Sequence, residues 1–435
     1  MNSIRNIAIF LLLVFAGFYS CQEGDRFAIS SDDKTPPSPP VFDRVQALPG
    51  GARLFYQIPA DEDVISIEAS FTATNGKLIK SAASFFAPYL EVFGFGNTNE
   101  QTIQLYALDR AGNRSNVVDV RVTPLEPAYS RVAKSMEVYP AFGALLLTWE
   151  NELQKDVNLF VDFSFSDNGT RRSIRQAFSS NKGVEHQFIN DLNLPESEPV
   201  SVQVTVEDLY GNRTESIDFG QMHLKTDEQI SKSNWVLPYR GVFIGGVGMA
   251  NGDNMEGRNS YIIDGNINDE FHPSNYGNFA VAYTVNGVNL NVPFNFMIDL
   301  GDKYELSRIV THQRRFFDPA TLAGNPRGDL YRTNNVGIYK MYYWDGNDDA
   351  TVGKWVEISQ IKIPMPDPSA SVLDIVNMGN LGDESLMYPD KPDFTPPTRW
   401  FRYQVVAPFD NNYGGGLILA NGLSEITLYG RKASK

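Results

Sequence analysis

Four short clusters combine the side chains that a polyhydroxylated ligand needs: His272 with Tyr276, then Arg314-Arg315-Phe316-Phe317, then Tyr331-Arg332, and Asn411-Asn412-Tyr413 ahead of Gly414-Gly415-Gly416. A pyranose presents C–H faces that lie on flat aromatic rings, and hydroxyls that pair with planar polar groups. Rings flanked by Arg, Asn and Gly read as loop-borne. Trp344, Trp355 and Trp400 instead sit in strand patterns and read as packing. The same residue types can also grip a protein surface, so adhesion or scaffolding is the alternative use of these loops.

Catalysis has less to draw on. Glycoside hydrolysis requires two carboxylates about 5 to 10 Å apart, and Asp318, Asp329, Asp345, Asp348 and Asp349 could furnish a pair. Most of them fall in Gly/Asn/Asp-rich turns, the pattern of a solvated loop. There is no Gly-x-Ser-x-Gly, no phosphate loop and no dinucleotide fingerprint. The four histidines, His186, His223, His272 and His312, are scattered, and one cysteine excludes a disulfide framework or a multi-cysteine zinc site. With 37 Lys+Arg against 52 Asp+Glu, the formal charge of −15 repels a polyphosphate backbone. The expectation is a protein that is not an enzyme and does not bind nucleic acid.

The lone cysteine follows an address. Met1 to Arg5 is a short basic start, Ile7 to Phe15 is an unbroken apolar run, and Ser20 precedes Cys21. This resembles a bacterial lipoprotein signal, in which the cysteine is lipidated and becomes residue one; a plain secretory signal is the alternative. The acidic Gln22-Glu23-Gly24-Asp25 resembles the surface-export signal of Bacteroidetes lipoproteins. Residues 1–20 are thus expected to be a signal peptide and 21–40 a flexible tether, ending in the polyproline-like Pro36-Pro37-Ser38-Pro39-Pro40.

The elements that would hold the clusters begin with a repeat. Asp109-Arg110-Ala111-Gly112-Asn113-Arg114-Ser115 aligns with Asp208-Leu209-Tyr210-Gly211-Asn212-Arg213-Thr214 at an offset of 99 residues (208 − 109). Alternating apolar residues precede each, Ile103, Leu105 and Ala107 against Val202, Val204 and Val206. Gly51 to Tyr56 resembles Gly143 to Thr148 in the same way. Asp caps such a turn, and Gly and Asn tolerate positive φ. Two units, 41–125 and 126–226, with period-two strands read as tandem β-sandwiches, and they resemble fibronectin type III or immunoglobulin-like modules. The Asn-x-Ser/Thr triplets in these turns are read as turn chemistry and not as glycosylation sites.

Residues 227–435 form a third unit, with strand-like runs Phe294 to Leu300, Leu306 to Val310, Gly337 to Trp344, Trp355 to Ile358, Trp400 to Ala407 and Ile426 to Tyr429. No amphipathic helix period stands out, and Pro364 to Pro397 reads as an insertion between strands. Seven phrases occur in a telling order: Ile263-Asp264-Gly265-Asn266, Phe296 to Gly301, Leu306 to Val310, Tyr339 to Trp344, Gly353 to Ile358, Arg399 to Tyr403, and Ser424 to Gly430. This order resembles the discoidin or factor V/VIII type C domain, a galactose-binding-like jelly-roll sandwich that includes the family 32 carbohydrate-binding modules.

The resemblance implies an all-β chain whose ligand loops lie at one end of the last sandwich. It also implies a structural Ca²⁺, with Asp264, Asn266 and Asp269 as loop ligands, Ser424 offering its carbonyl and Glu425 a carboxylate, oxygen ligands of the kind calcium takes. The complete layout resembles the surface glycan-binding lipoproteins of Bacteroidetes polysaccharide-utilisation systems. That likeness implies a lipid-anchored protein on the outer membrane that holds polysaccharide or oligosaccharide beside an outer-membrane importer complex.

Overall fold

The computed structural model describes residues 33–238, 243–248, 255–256, 262–267, 280–283, 294–315, 326–331, 335–409 and 420–434. Cys21, Asp269, His272, Tyr276, Phe316, Phe317, Asp318, Arg332, Asn411, Asn412 and Tyr413 lie outside the described residues.

The first module contains strands β1 (Val41–Leu48), β2 (Gly51–Gln57), β3 (Val64–Thr72), β4 (Leu78–Ser84), β5 (Tyr89–Phe93), β6 (Gln101–Asp109) and β7 (Val118–Val122). They form a three-stranded sheet, β1-β2-β5, and a four-stranded sheet, β4-β3-β6-β7. Every other residue points inward, so Leu54, Ile67, Val92, Ile103 and Leu105 are fully buried between the layers. The second module follows the helix Ala128–Ser135 and repeats this order with β8 (Glu137–Pro140), β9 (Leu145–Glu150), β10 (Val157–Asp167), β11 (Thr170–Ser180), β12 (Val184–Ile189), β13 (Pro199–Asp208) and β14 (Ile217–His223). Its sheets are β12-β9-β8 and β11-β10-β13-β14, the arrangement of a fibronectin type III sandwich. Val202, Val204 and Val206 are fully buried against Trp149 and Leu159. Each buried aliphatic side chain contributes about 1.5–3 kcal/mol.

The repeated turn has one geometry in both modules. Asp109 accepts from the Asn113 backbone N–H at 2.8 Å and from Asn113 Nδ2 at 2.9 Å; Asp208 does the same for Asn212, both at 2.9 Å. Gly112 and Gly211 sit at φ of 85° and 82°, where a side chain would be strained. The second copy has a further task. Asn212 Nδ2 also donates to the Gly94 carbonyl at 3.1 Å, and Tyr129 Oη donates to the Gly96 carbonyl at 2.6 Å, so the turn and the linker helix dock on the first module.

The third unit is antiparallel, with β15 (Glu228–Gln229), β18 (Met255–Glu256), β19 (Ala280–Tyr283), β20 (Phe294–Gln313), β21 (Val336–Gly346), β22 (Gly353–Lys362), β23 (Asp383–Leu386), β24 (Thr398–Pro408) and β25 (Ala420–Lys432) in one sheet system and β16 (Phe243–Ile244) and β17 (Val247–Gly248) as a separate hairpin. Its main order is β18-β19-β25-β20-β24-β21-β22, with β15 on β25 and β23 on β20. Two of the expected strands are one. β20 shifts register between Asp299 and Tyr304, pairing first with β24 (Ile298 opposite Phe401) and then with β25 (Ile309 opposite Leu428). That change of partner closes the layers over Phe296, Ile298, Leu306, Tyr339, Phe401, Tyr403 and Ile426. Trp344 is buried and meets the half-buried Trp355 edge-on at 5.2 Å, as their strand patterns implied.

The segment after Pro364 is more ordered than an insertion of turns. It holds the helix Val372–Leu381, started by a reciprocal Ser371–Asp374 capping box and burying Ile375 and Val376, and then β23. Pro, Asp and Gly on either side of the helix dilute its short apolar period.

Candidate functional site

At one end of the jelly roll, Gln313, Arg314, Asn335 and Phe409 converge. Gln313 Nε2 donates to the Val336 carbonyl at 3.2 Å while its Oε1 accepts from the Val336 N–H at 3.0 Å. Asn335 Nδ2 donates to the carbonyls of Arg314 at 2.7 Å and Leu330 at 2.8 Å, and the Phe409 N–H donates to the Asn335 carbonyl. Gln313 also lies opposite Leu423, near the start of β25. The points where the chain departs toward 316–325, 332–334 and 410–419 are therefore clamped together by buried amides.

Two of the candidates here do not face a ligand. Arg315 is 2% exposed; its Nη1 donates to Asn380 Oδ1 at 2.7 Å and its Nη2 to the Gly379 carbonyl at 2.6 Å. A cation at the end of helix Val372–Leu381 satisfies carbonyls that have no intrahelical partner and complements the helix dipole. Tyr331 is also 2% exposed and packs edge-on against Phe409 at 5.3 Å, with burial raising its hydroxyl pKa. Both are corrected from ligand residues to supports. Arg314 stays partly exposed at the same end.

Beneath this end lie two groups that the sequence pattern did not single out. The Asp383 carboxylate accepts from Gln313 Nε2 at 3.0 Å, and burial pushes it up to about 6. His312 lies with Nε2 3.3 Å from the Asn380 carbonyl, and burial pushes it down to about 4. A polar residue at an inward strand position is their only sequence signal, and it becomes visible once β20 is known to cross both layers.

The expected calcium ligands meet a different cation. Glu425, 1% exposed, accepts from Lys232 Nζ and from the Gly265 N–H at 3.1 Å, and Lys232 Nζ also donates to Thr427 Oγ1 at 2.9 Å. Asp264 turns back on its own loop, accepting from the Asn266 N–H at 2.8 Å. Ser424 is buried with its hydroxyl donating to the Gln313 carbonyl at 3.2 Å. Gly265, at φ 85°, makes the sharp turn that lets its N–H reach Glu425. Calcium takes six to eight oxygen ligands. Among the described residues this donor set does not fit it, because an ammonium already sits on the one buried carboxylate. Burial pushes Glu425 up to about 7 against the pull of Lys232, and lowers Lys232.

Of the carboxylates weighed for hydrolysis that are described in full, Asp348 and Asp349 are turn elements and Asp345 lies near the end of β21. Asp348 pairs with Lys303 at 2.9 Å, Asp349 accepts from Thr351 Oγ1 at 2.7 Å, and Asp345 is exposed. The hydrogen bonds from Thr351 hold Asp349 below its usual range, which suits a cap and not a proton donor.

Three family models match the chain, each described as a domain of unknown function: DUF4959 over residues 37–124, DUF5126 over 125–225 and DUF5000 over 271–430. A search of curated proteins found no match. Among solved structures, the chain is similar to a SusE-like protein at 19% identity, covering 71% of this chain and 100% of that one, with a TM-score of 0.34. It is similar to the C-terminal domain of a chitobiase from Bacteroides fragilis at 17% identity, covering 48% and 100%, with a TM-score of 0.27. It is also similar to the family 32 carbohydrate-binding module of Clostridium perfringens NanJ, in complex with galactose, at 14% identity, covering 47% and 98%, with a TM-score of 0.28.

Proposed function

We propose that this chain is a non-catalytic, lipid-anchored protein of the outer cell surface that captures a polysaccharide or oligosaccharide through the end loops of its C-terminal jelly roll, in support of uptake by an outer-membrane importer. The two fibronectin-type sandwiches are its spacers. The observation that carries the reading is the clamp at the jelly-roll end. Gln313, Arg314, Asn335 and Phe409 are tied within one hydrogen-bonded set, so three distant stretches of the chain meet in one small area. A ligand seated on this end would meet residues from separate stretches of sequence.

The test is calorimetry of the lipid-free chain against plant and host polysaccharides. A shallow surface site exchanges water for imperfect partners, so dissociation constants of micromolar to millimolar order are expected, about −8 to −4 kcal/mol. Arg314→Ala should cost about 1.5–3 kcal/mol of binding if the guanidinium donates to a hydroxyl, and Tyr413→Ala should remove a stacking face without unfolding. Retention of an outer-membrane protein with no glycan bound would replace this reading by adhesion.

A further inference from the structure

The second sandwich carries rings on a face that ought to be polar. Strand pairing aligns Phe188 with Leu146 and Tyr139 in one row of sheet β12-β9-β8, and His186 with Thr148 and Glu137 in the next. Leu145, Leu147 and Trp149 fill the sandwich core, so these rows point outward. An outer sheet face left to water normally carries polar residues.

The first sandwich shows how such rings are otherwise treated. On the equivalent sheet, the Arg44 guanidinium lies 3.6 Å over Phe55, and Arg53 lies 4.7 Å over Tyr89 while paired with Glu91. In the second sandwich no guanidinium roofs the rings among the described residues; Lys391 stands 5.5 Å from the Tyr139 ring, and the rows face a cleft of about 1160 Å³ whose far wall is the jelly roll.

That far wall is polar and held in place. Arg308 is bidentate to Asp227, at 2.8 and 3.2 Å, stacks 3.7 Å over Tyr429 and pairs with Glu384 at 3.3 Å. Gln360 and Lys362 of β22 line the same cleft. The modules are pinned to each other beside the cleft by Lys225 Nζ, which donates to the Pro392 carbonyl at 2.5 Å and to Asp393 at 2.8 Å, and by the edge-on contact of Phe142, a lining residue, with Phe394 at 4.9 Å. The cleft is therefore formed before any ligand arrives.

We infer that this cleft binds a stretch of neutral oligosaccharide, with the C–H faces of its sugars on Tyr139, His186 and Phe188 and its hydroxyls on the fixed groups of the jelly-roll wall. Its volume exceeds the about 300–1,000 Å³ usual for small-molecule sites, which suits several linked sugars better than one chain end. Along the lining four carboxylates, Glu137, Asp191, Glu384 and Asp390, stand against three cations, Arg308, Lys362 and Lys391, so the cleft offers no net attraction to an anionic chain. The inference rests on the carbohydrate-binding reading above and adds an internal-chain site to the end-loop site.

The experiment titrates tetra- to octasaccharides of glucose, galactose, mannose and xylose into the lipid-free chain and into its Phe188→Ala, His186→Ala and Tyr413→Ala variants. Hydrogen exchange is followed over 184–189 and 384–391. Ring loss should weaken the cleft event about three- to tenfold, Tyr413→Ala should leave it unchanged, and both stretches should gain protection with ligand. His186 is exposed, so its variant keeps the fold even if Phe188→Ala does not. If an oligosaccharide binds but the His186 and Phe188 variants bind it equally and neither stretch is protected, the cleft site is wrong and the end-loop function stands. If none binds, both fall. An extended peptide protecting the edge of β12 in place of sugars would make the cleft a strand-pairing groove and overturn the inference.

Discussion

Asp383 and His312 lie under the same end of the jelly roll and should pull stability in opposite directions with pH. Asp383 is raised from 3.8 to about 6, so the folded unit prefers it protonated. Its unfavourable contribution is absent below pH 4, grows as pH rises and is complete above pH 6. The shift of about 2 units, at 1.36 kcal/mol each, sets an upper bound of about 3 kcal/mol. His312 is lowered from 6.5 to about 4, so the folded unit prefers it neutral. Its favourable contribution is complete above pH 6.5 and is lost as pH falls toward 4, again about 3 kcal/mol. In the wild type the two slopes largely cancel. Asp383→Asn keeps an acceptor for Gln313 and should gain stability relative to wild type as pH rises from 4 to 6; His312→Gln should lose it over 4 to 6.5. Denaturant unfolding followed by tryptophan fluorescence in a Trp149→Phe background isolates the right unit, since the other four tryptophans, Trp235, Trp344, Trp355 and Trp400, all lie in it. Two variants that track the wild type at every pH, or slopes of one sign, would refute the burial argument.

Lys232→Ala should cost about 3–5 kcal/mol, because it leaves Glu425 buried without its cation, while chelator should leave the wild-type melting temperature unchanged; a chelator-induced drop on protein exposed to calcium would restore the metal. Arg315→Ala should lower the melting temperature of the C-terminal unit and leave sugar preference intact, since the guanidinium serves Gly379 and Asn380, and a change of preference in the glycan panel would return it to the ligand face. Metabolic labelling with a fatty-acid analogue should mark the wild type and fail on Cys21→Ala; equal labelling of both would exclude lipidation there.

Much of the fold was legible because its signals are local. The Asp-Gly-Asn turns, the alternation Val202, Val204, Val206 and the strand-borne tryptophans depend on chain neighbours within a few residues, and the structure reproduces them with the expected bonds and burial. The capping box Ser371–Asp374 was equally local, yet its helix is two apolar residues deep and too short to raise a period above the surrounding Pro and Asp.

The site was legible only by residue type. Sequence alone determined that Arg, Asn and aromatic residues cluster in a few stretches of an acidic, cysteine-poor β chain, side chains of the kind that bind. It could not determine which guanidinium points outward. Arg314 and Arg315 are adjacent in sequence, and only the arrival of Asn380, 65 residues later, takes Arg315 inward. Lys232 reaches Glu425 across 193 residues and puts an ammonium on a carboxylate that the calcium expectation assigns to the metal. The rings of Tyr139, His186 and Phe188 acquire a facing polar wall only when the third module docks on the second. Local turn and strand preferences are written within a few residues of one another, but the partner of a charge is whatever the folded chain brings within reach. That distance is set by tertiary packing.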